Sequence, residues 1–491
     1  MSKEIVTLQF GTYSNFVGSH WWNFQAKQCE NRPEVDDELR IDTNSTMQLR
    51  KSAAGLRKSI WTPRLISVDF KGSRCHSVID DDVTVAEKPA DTTWQGEIKK
   101  YEEAKGSVSN DWSSFLRLQL HPRSVLTLPG SYNNESFELH TSGLDAFRET
   151  NISSEIEESL RFFSEECDHC QGFQILCDLH DGFSGLASST LELIRDDFPK
   201  RGIVVAAFPK SHGFSNVDFL SRKRQILSYA TALHELASHE CLVLPLSLMK
   251  RSWEAQPSQF RSFPHISFDA YNPYESSSVF AAGLETFSSC YRSGGINMNY
   301  VISCLTSMGR PIASLRLGLP LPARDDVTFR QFLSSYPSFD RDSFVALTPY
   351  LDSQSHPFAQ CVSVRGISSA NQSLNHYLER NYAANLNVSS GHSLGLVTDS
   401  SFPLLWPSEY ARKGKESEVA SMSLLQSSSD AANVLTSLLA ESSSHMTLAK
   451  VSHHFDQDKI AESHEHLKQL SQNYTQSKPR SASDSSSSSS E

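Results

Sequence analysis

The fold is decided by the stretch Phe173–Phe208, FQILCDLHDGFSGLASSTLELIRDDFPKRGIVVAAF. Its first residues form an apolar run typical of a buried strand, and a short turn containing two glycines follows. Leu186–Asp197 has the apolar spacing of a helix, and Ile203–Phe208 is a second apolar strand. A strand, a short loop, a helix and a strand within about 35 residues form a βαβ unit, whose strands are parallel. The sequence therefore predicts an α/β protein built on a parallel sheet.

Two earlier segments add strands to this sheet. Glu4–Phe10 and Leu65–Phe70 are apolar runs, and each leads into a loop that contains glycine. Ligands of parallel sheets bind beyond the carboxyl ends of the strands, so the loops Gly11–Gly18, Asp69–Gly72 and His180–Gly185 are predicted to line one crevice. Loops that open helices there present unpaired N–H groups that favour phosphate. Tight turns explain the same glycines equally well.

The composition narrows the class of protein. The 491 residues carry 45 Lys and Arg against 57 Asp and Glu, and this net charge of -12 disfavours a general nucleic-acid-binding surface. Nine cysteines, an odd number spread over a long chain, indicate reduced thiols rather than a disulfide framework. No apolar run approaches the ~20 residues of a membrane-spanning helix, and residues 1–4 lead into a strand without a signal peptide or presequence. We expect a soluble protein, with peripheral membrane association at most.

Two local patterns resemble metal motifs but favour a structural interpretation. His234 and His239 lie about 140° apart around a helix, whereas a zinc protease needs two histidines on one helix face. Cys167–Cys170, sequence CDHC, is half of a zinc knuckle or a redox pair, and no second ligand pair at knuckle spacing accompanies it. We interpret these cysteines as small buried residues, and the sequence predicts no metal site.

Ser184 raises the alternative of a serine hydrolase. Gly182–Gly185, sequence GFSG, lies at a strand-to-helix turn where a nucleophile elbow would lie, but its second glycine comes one residue early for that motif. Asp178, His180 and Asp181 are close in sequence, yet a catalytic triad is defined by its spatial geometry. A hydrolase that uses Ser184 is therefore the third function class in order of preference.

Short strings along most of the chain resemble the tubulin superfamily. They fall at the first two strands and their loops, on either side of the predicted crevice turn, and in a central Asn-x-Asn sequence: Glu4–Val6, Gln9, Gly11, Asn15, Gly18, Trp22, Pro63–Arg64, Ile66, Val68–Asp69, Cys167–Asp168, Gln171–Gln174, Ile194–Arg195, Pro199, Asn297 and Asn299. Within the superfamily, Asn15–Asn23 (NFVGSHWWN) together with Asp181–Gly185 (DGFSG) closely resembles the Misato (Dml) family.

This resemblance implies a tubulin-like layout in four parts. They are a Rossmann-type parallel-sheet domain at 1–218 with a family-specific insertion at about 73–150, a central helix with an α+β intermediate domain at 219–400, and C-terminal helices at 401–470. The fourth part, residues 471–491, is rich in serine, is unable to bury a core and is predicted to be a disordered tail. Phosphorylation of these serines would add negative charge like that of tubulin's acidic tails.

The resemblance also places a nucleotide crevice at the predicted loops, in degenerate form. The residues expected to line it are Gly11, Asn15, Gly18, Asp69, Gly182, Ser184 and Gly185. Asp181 and Phe183 stand in tubulin's glycine-rich signature loop, where a carboxylate about 4 Å from phosphate is repulsive by roughly 1–4 kcal/mol. Cys241 and Pro245 align with the residues that stack on guanine and read its edge, and Asn299 aligns with the hydrolytic acid.

These departures predict a tubulin-like protein that is not an enzyme. Where tubulin has a second acid after the residue equivalent to Asp69, this chain has Lys71, so the sign of a magnesium-side charge is inverted. The same lysine could instead bind a phosphate directly as a point charge, which leaves this one change open to either interpretation. Asn299 is unable to act as a carboxylate base, which argues against filaments driven by hydrolysis. We expect no catalytic residue and no cofactor, with GTP or GDP as the alternative ligand.

The resemblance to the Misato family implies a noncatalytic protein that regulates mitochondrial distribution and morphology as a scaffold or adaptor. It implies a location in the cytoplasm and, peripherally, at the mitochondrial outer membrane. The expected partners are tubulin, other cytoskeletal proteins or mitochondrial surface proteins, and not nucleic acid. The alternative is a GTP-binding, tubulin-like switch or filament-forming protein that acts on microtubules or the spindle.

Overall fold

The computed structural model describes residues 3–30, 48–52, 60–70, 111–129, 137–209, 219–254, 259–292, 296–321, 344–351, 357–367, 386–392, 394–399, 401–403, 405–407, 410, 418–443 and 456–475. Lys71, residues 73–110 of the predicted insertion and residues 476–491 of the predicted tail lie outside them.

A six-stranded parallel sheet forms the first half of the molecule. Its strands are β1 (Glu4–Phe10), β4 (Leu65–Phe70), β5 (Val125–Leu128), β6 (Cys170–Asp178), β7 (Gly202–Phe208) and β8 (Leu242–Pro245), and a small hairpin of β2 (Leu49–Ser52) and β3 (Ile60–Pro63) accompanies them. The strand order is β5-β4-β1-β6-β7-β8. The predicted parallel α/β sheet is confirmed, and the order places the ends of β1, β4 and β6 side by side.

Helices cover both faces of this sheet. In chain order they are α1 (Thr12–Glu30), α2 (His140–Glu149), α3 (Ile152–Glu165), α4 (Phe183–Asp197), α5 (Phe219–Ala237), α6 (Pro273–Arg292), α7 (Met298–Leu305), α8 (Ala431–Ser443) and α9 (Gln457–Thr475). Successive side chains of a strand point to opposite faces, so Val6 and Leu8 pack with α3, α4, α5, α8 and α9, whereas Ile5 packs with α1, α6 and α7.

A second, mixed sheet forms the other half. Its strands are β9 (Ser314–Leu321), β10 (Val345–Ala346), β11 (Pro357–Arg365), β12 (Leu386–His392), β13 (Leu396–Val397) and β14 (Glu418–Ser428). Their order is β10-β9-β14-β11-β12, with β13 paired to β14. Helix α6 lies between the two halves, because it contacts α1 on one side and β11 and β14 on the other. The predicted sequence of parallel-sheet domain, central helix, α+β domain and C-terminal helices is therefore confirmed.

The elements cross the predicted domain boundaries at three places. Strand β8 lies beyond residue 218 but belongs to the first sheet, and β14 lies beyond residue 400 but belongs to the second. Helix α9 continues to Thr475, past the predicted start of the tail at residue 471. Its Tyr474 is fully buried, and the Tyr474 hydroxyl bonds the backbone N and O of Ile312 at 2.7 and 2.8 Å. No helix within the described ranges is both long and apolar enough to cross a membrane.

Candidate functional site

Three loops meet at the carboxyl edge of the first sheet, as predicted. The first begins at Gly11, whose N–H donates to Val68 O at 3.1 Å, so the ends of β1 and β4 are tied together. Gly11 has φ +105°, and a Cβ atom on it would lie 2.4 Å from Asp178 Oδ2 at the end of β6. Both the backbone conformation and the close approach require glycine at this position. The three strand ends therefore converge on one small volume.

The Asp178 carboxylate lies at the start of helix α1 and accepts hydrogen bonds from its first turn. Its Oδ1 accepts hydrogen bonds from Ser14 N at 2.8 Å and Ser14 Oγ at 2.6 Å, and its Oδ2 accepts one from Tyr13 N at 2.9 Å. These amides belong to the first turn of α1, which is the part of a helix that binds anions. Asp178 is 1% exposed, and burial raises its pKa to about 7, although the bonds from Ser14 and Tyr13 oppose the shift. A group of the protein itself thus occupies the anion-binding position.

The second carboxylate of the edge, Asp69, is also engaged by the protein. It accepts hydrogen bonds from Thr12 Oγ1 at 2.9 Å, Asn15 Nδ2 at 3.0 Å and Trp112 Nε1 at 2.9 Å. Asn15 in turn accepts from Ser67 Oγ at 2.8 Å. Both oxygens of Asp69 therefore have protein donors, and the predicted site residues Asn15 and Asp69 hold α1 to β4.

The predicted signature loop is packed rather than open. Helix α4 begins at Phe183, three residues before the predicted start, and the Phe183 side chain is 1% exposed with its ring centre 5.2 Å from that of Phe137. The resemblance places Phe183 in the phosphate loop, but its side chain turns into the apolar core and so does not project toward a phosphate. Gly182 lies against the Phe137 ring, and a Cβ atom on Gly185 would lie 2.1 Å from His140 O. These two glycines allow residues 137–150 to pack on the loop.

Gly18 lies in the second turn of α1 and not at the edge of the crevice. It faces the side chain of Gln9 in β1, which leaves no room for a Cβ atom. Its neighbours Val17, Trp21 and Trp22 are buried, since α1 is enclosed by the sheet, α6 and the short helix Trp112–Phe115. The structure thus brings Gly11, Asn15 and Asp69 together, and places Gly18 where helix and strand pack.

Ser184 belongs to a series of three hydrogen-bonded polar side chains, of which Ser184 and His140 are buried and Glu235 is partly exposed. His140 Nδ1 lies 3.0 Å from Ser184 Oγ, and His140 Nε2 lies 2.8 Å from Glu235 Oε2. Ser184 is 0% exposed, and its hydroxyl donates to Asp181 O at 2.8 Å. A nucleophile needs an accessible oxygen whose proton passes to the base, so this geometry favours a role in joining α2, α4 and α5. Spacing along the sequence does not reveal these hydrogen bonds, because the three residues come from distant segments.

The same turn also carries a group of potential metal ligands. Asp178, His180 and Asp181 each place one ligand atom within 4.8 Å of the other two. His180 Nε2 lies 3.4 Å from Asp181 Oδ2, and both oxygens of Asp178 already accept protein hydrogen bonds. The group therefore gives no support for a metal site beyond the proximity of its members.

The predicted contacts to guanine require a correction. Cys241 immediately precedes β8 and so lies at the amino edge of the parallel sheet, opposite the three loops. It is fully buried, and its Sγ donates to Leu236 O at 3.0 Å. The prediction that Cys241 stands where guanine stacks is therefore wrong. Pro245 ends β8 at the carboxyl edge, whereas Asn299 lies at the amino edge with its Nδ2 donating to Lys200 O at 3.0 Å.

Comparisons with known proteins agree with the fold and with the sequence motifs. The Misato segment II tubulin-like domain matches residues 3–115, and a tubulin domain matches residues 103–291. Protein misato homolog 1 of Pongo pygmaeus is 30% identical over 440 residues, which cover 75% of this chain and 74% of that protein. The protein of the same name in Homo sapiens is 29% identical over 443 residues, with the same coverage. Protein DML1 of Gibberella zeae is 25% identical over 482 residues, which cover 90% of this chain and 92% of that protein. The chain belongs to the Misato family of tubulin-like proteins.

Proposed function

We propose that this protein is a noncatalytic, tubulin-like scaffold or adaptor that regulates the distribution and morphology of mitochondria. Membership of the Misato family supports a tubulin-related or mitochondrial role in general. The observation that carries the noncatalytic part is the position of Asp178, whose carboxylate bonds the first turn of α1. In this proposal the fold acts through the partners that bind its surface.

The energetics of the crevice support this reading. A phosphate that approached Tyr13 N and Ser14 N would have to displace the Asp178 carboxylate from its donors. The displaced group would be a buried carboxylate beside a phosphate, and like charges about 4 Å apart repel by roughly 1–4 kcal/mol at surface dielectrics. Asp69 adds a second carboxylate whose oxygens are already bonded. We therefore expect neither tight GTP binding nor hydrolysis.

The partners and the location belong to the same proposal. We propose protein partners, with tubulin, other cytoskeletal proteins and mitochondrial surface proteins as the candidates, and no nucleic acid. The net charge of -12 supports the exclusion of nucleic acid, because binding to phosphate backbones needs a basic surface. We place the protein in the cytoplasm and, by peripheral association, at the mitochondrial outer membrane.

A GTP-binding switch or filament-forming protein is the second candidate function. The observation in its favour is that the three loop ends converge at the carboxyl edge, where parallel sheets bind ligands. This candidate requires Asp178 to leave the start of α1 when nucleotide binds.

Titration calorimetry of nucleotide-stripped protein with GTP and with GDP, in the presence of Mg²⁺, tests the noncatalytic part. We expect no saturable heat for the natural chain. The Asp178→Ser variant removes the carboxylate, and we expect its affinity for GTP to rise about tenfold or more, since 1.4 kcal/mol of relieved repulsion changes Kd tenfold. Glu157→Gln, which changes an exposed acid on α3, is the control. Stoichiometric GTP binding with turnover by the natural chain would overturn the proposal.

Depletion and rescue in cells test the mitochondrial part separately. We expect depletion to alter the mitochondrial network, and we expect the natural chain and Asn299→Ala to restore it equally well. An unchanged network after depletion would reject the mitochondrial role. Rescue by the natural chain but not by Asn299→Ala would favour the switch or filament candidate.

A further inference from the structure

A cavity lies at the amino edge of the first sheet, on the side away from the three loops. Its volume is about 710 Å³, and its walls come from the start of β7, the residues before β8, one face of α7 and the end of α9. None of the described residues that line it belongs to the crevice at the carboxyl edge. The cavity is therefore a second place where this fold can hold a ligand.

The walls of this cavity carry more positive than negative charge. Four basic side chains and one acidic side chain line it: Arg195, Lys200, Arg201, Arg310 and Glu240. His466 also lines it, and burial lowers the pKa of this histidine, so its ring is neutral at pH 7. The chain as a whole has a net charge of -12, so this concentration of cations points to an anionic ligand.

Two of the cations are held in place by backbone carbonyls. Arg195 Nε donates to His239 O at 2.7 Å. Arg310 is 5% exposed, its Nε donates to Asn473 O at 2.8 Å, and its guanidinium carbon lies 3.7 Å from the centre of the Phe358 ring. A carbonyl oxygen orients a guanidinium group without neutralising it, because the oxygen carries only a partial charge. The wall thus presents two positive charges in fixed positions.

The other two cations are available to a ligand. Lys200 and Arg201 lie in the turn before β7, and no carboxylate among the described residues bonds either side chain. His466 Nδ1 is buried and, within the same part of the chain, has no hydrogen-bond partner. Phosphate oxygens accept charge-assisted hydrogen bonds from lysine and arginine, so a phosphate group suits this cavity.

The chain itself contains a serine-rich segment that can reach the cavity. Helix α9 ends at Thr475, two residues past Asn473 in the cavity wall. Ser481–Glu491 contains eight serines and two acids, and no Lys or Arg. A phosphate on serine adds about -1.5 to -2 charges at pH 7. The six residues from Thr475 to Ser481 span up to about 20 Å when extended, so a phosphate on Ser481 can fold back to the cavity.

We propose that the cavity at the amino edge binds phosphoserine from Ser481–Ser490 of the same chain. In the modification, a protein kinase transfers the γ-phosphoryl group of ATP to a serine Oγ. The new bond joins this oxygen to phosphorus, the bond to the β-phosphate oxygen breaks, and ADP and the hydroxyl proton are released. Lys200 and Arg201 then bond the phosphate oxygens, while Arg195 and Arg310 add fixed positive charge behind them.

Binding of the tail depends on its phosphorylation. Before modification, Lys478 and Arg480 balance Asp484 and Glu491, so the side chains of residues 476–491 carry no net charge. Each phosphate makes the segment more negative, and its attraction to the cavity rises accordingly. A short tether gives the segment an effective concentration of about 1 mM, so even a weakly bound phosphoserine occupies the cavity for much of the time.

Titration calorimetry with the full-length, unphosphorylated chain tests the proposal. The ligand is a synthetic peptide of residues 476–491 with phosphoserine at positions 481 and 483, and the same peptide without phosphate is the control. We expect saturable binding of one phosphopeptide per chain and no saturable heat from the control. Absence of phosphopeptide binding up to about 1 mM would overturn the proposal, because the tethered segment reaches a similar effective concentration.

The same titration identifies the occupant when the chain's own tail is phosphorylated beforehand. We expect this chain to bind the phosphopeptide about tenfold more weakly, because its own segment competes at high effective concentration. Equal binding by the two forms of the chain would mean that the cavity takes phosphopeptides of other proteins and not the tail. That outcome would also reject the proposal.

A pair of double variants locates the binding site. Lys200→Gln with Arg201→Gln removes the two available cations, and we expect binding to weaken about tenfold or more, since a hydrogen bond to a charged group is worth that much. Lys250→Gln with Arg251→Gln is the matched control, because this exposed Lys-Arg pair follows the carboxyl end of β8 at the opposite edge. We expect the control to bind within about twofold of the natural chain. Equal weakening by the two double variants would contradict the assignment to this cavity, and urea denaturation checks that both remain folded.

Discussion

Asp178 and Glu285 are both buried carboxylates, but they lie in regions with opposite electrostatics. Asp178 lies at the carboxyl edge of the first sheet, where N–H and hydroxyl donors surround it and Asp69 contributes a repulsive charge. Glu285 lies in α6 between the two halves and is 0% exposed. It accepts from Arg292 at 2.7 Å and from Arg365, so two cations face it.

The two environments shift the two pKa values in opposite directions. Burial raises the pKa of Asp178 to about 7, and its hydrogen bonds only partly offset this shift. Burial also acts to raise the pKa of Glu285, but the charges of Arg292 and Arg365 outweigh it, and the pKa of Glu285 is lowered. Burial is thus common to both groups, and the presence of a counter-charge decides the direction. The comparison indicates that Glu285 is held as an ion by its two arginines, whereas Asp178 has hydrogen-bond donors but no counter-charge.

We expect the largest loss of unfolding free energy from Glu285→Gln. This change leaves Arg292 and Arg365 buried without their shared counter-charge, and removing one member of a buried ionic group typically costs about 3–5 kcal/mol. Bonds from α1 are also affected, since Trp21 Nε1 donates to Glu285 at 2.7 Å. Urea denaturation with linear extrapolation measures the free energy of unfolding. A loss below about 1 kcal/mol, which is the value of an exposed ion pair, would show that the junction does not depend on charge pairing.

We expect a smaller loss of unfolding free energy from Asp178→Ala. The change leaves the N–H groups of Tyr13 and Ser14 without their acceptor, and an unsatisfied buried donor costs about 1–3 kcal/mol. The same denaturation measurement is repeated with phosphate at about 10 mM, which is roughly a hundredfold above a Kd of about 0.1 mM. A ligand that binds only the folded state stabilises it, so we expect phosphate to stabilise the variant more than the natural chain. If phosphate stabilises the natural chain as much as the variant, Asp178 does not block the anion position.

The pH dependence of stability separates the two carboxylates further. The pKa of Asp178 rises from 3.8 to about 7 on folding, so its contribution is present at low pH and is lost as the pH rises through about 7. The lowered pKa of Glu285 has the opposite sign, because its contribution is present above 4.5 and is lost as the pH falls. We expect the unfolding free energy of the natural chain, minus that of Asp178→Asn, to decrease between about pH 4 and pH 7 and to level off above that. A flat difference would contradict the raised pKa.

We expect the smallest change in unfolding free energy when an exposed carboxylate is replaced. Glu157 bonds Arg161 at 2.8 Å one turn away on α3, and both side chains are largely exposed. Exposed pairs of this kind contribute about 0.3–0.5 kcal/mol, so Glu157→Gln should change the unfolding free energy by no more than that. The variant is the reference for both buried carboxylates. A loss as large as that of Glu285→Gln would mean that burial is not what distinguishes these acids.

The sheet and the position of the crevice could be predicted from the sequence because both follow from local patterns. The apolar runs Glu4–Phe10 and Ile203–Phe208 define strands without reference to distant residues, and parallel strands bring their ends to one edge. The residue that fills the crevice could not be predicted in the same way. Asp178 was visible as a charge at the end of an apolar strand, but its bonds to Tyr13 and Ser14 depend on the exact placement of α1.

The errors at Cys241 and Phe183 have different physical causes. Cys241 was assigned by matching Leu233–Leu248 to the central region of tubulin, but that stretch holds the end of α5 and β8. The central helix is α6, which begins more than 30 residues beyond Cys241. Phe183 was assigned to a turn, but α4 begins there, and the helix directs its side chain into the core. The first error concerns alignment along the chain and the second concerns the direction of a side chain. Neither is encoded in a short run of residues.

The buried Tyr474 has a practical consequence for handling the protein. Helix α9 packs on α5 of the first half, while the Tyr474 hydroxyl bonds Ile312 just before β9 of the second, and Arg310 Nε donates to Asn473 O at 2.8 Å. The last turn of this helix therefore holds the segment that leads from the edge of the first sheet into β9. Affinity tags and fluorescent fusions belong after residue 475, since a shorter chain would release that connection.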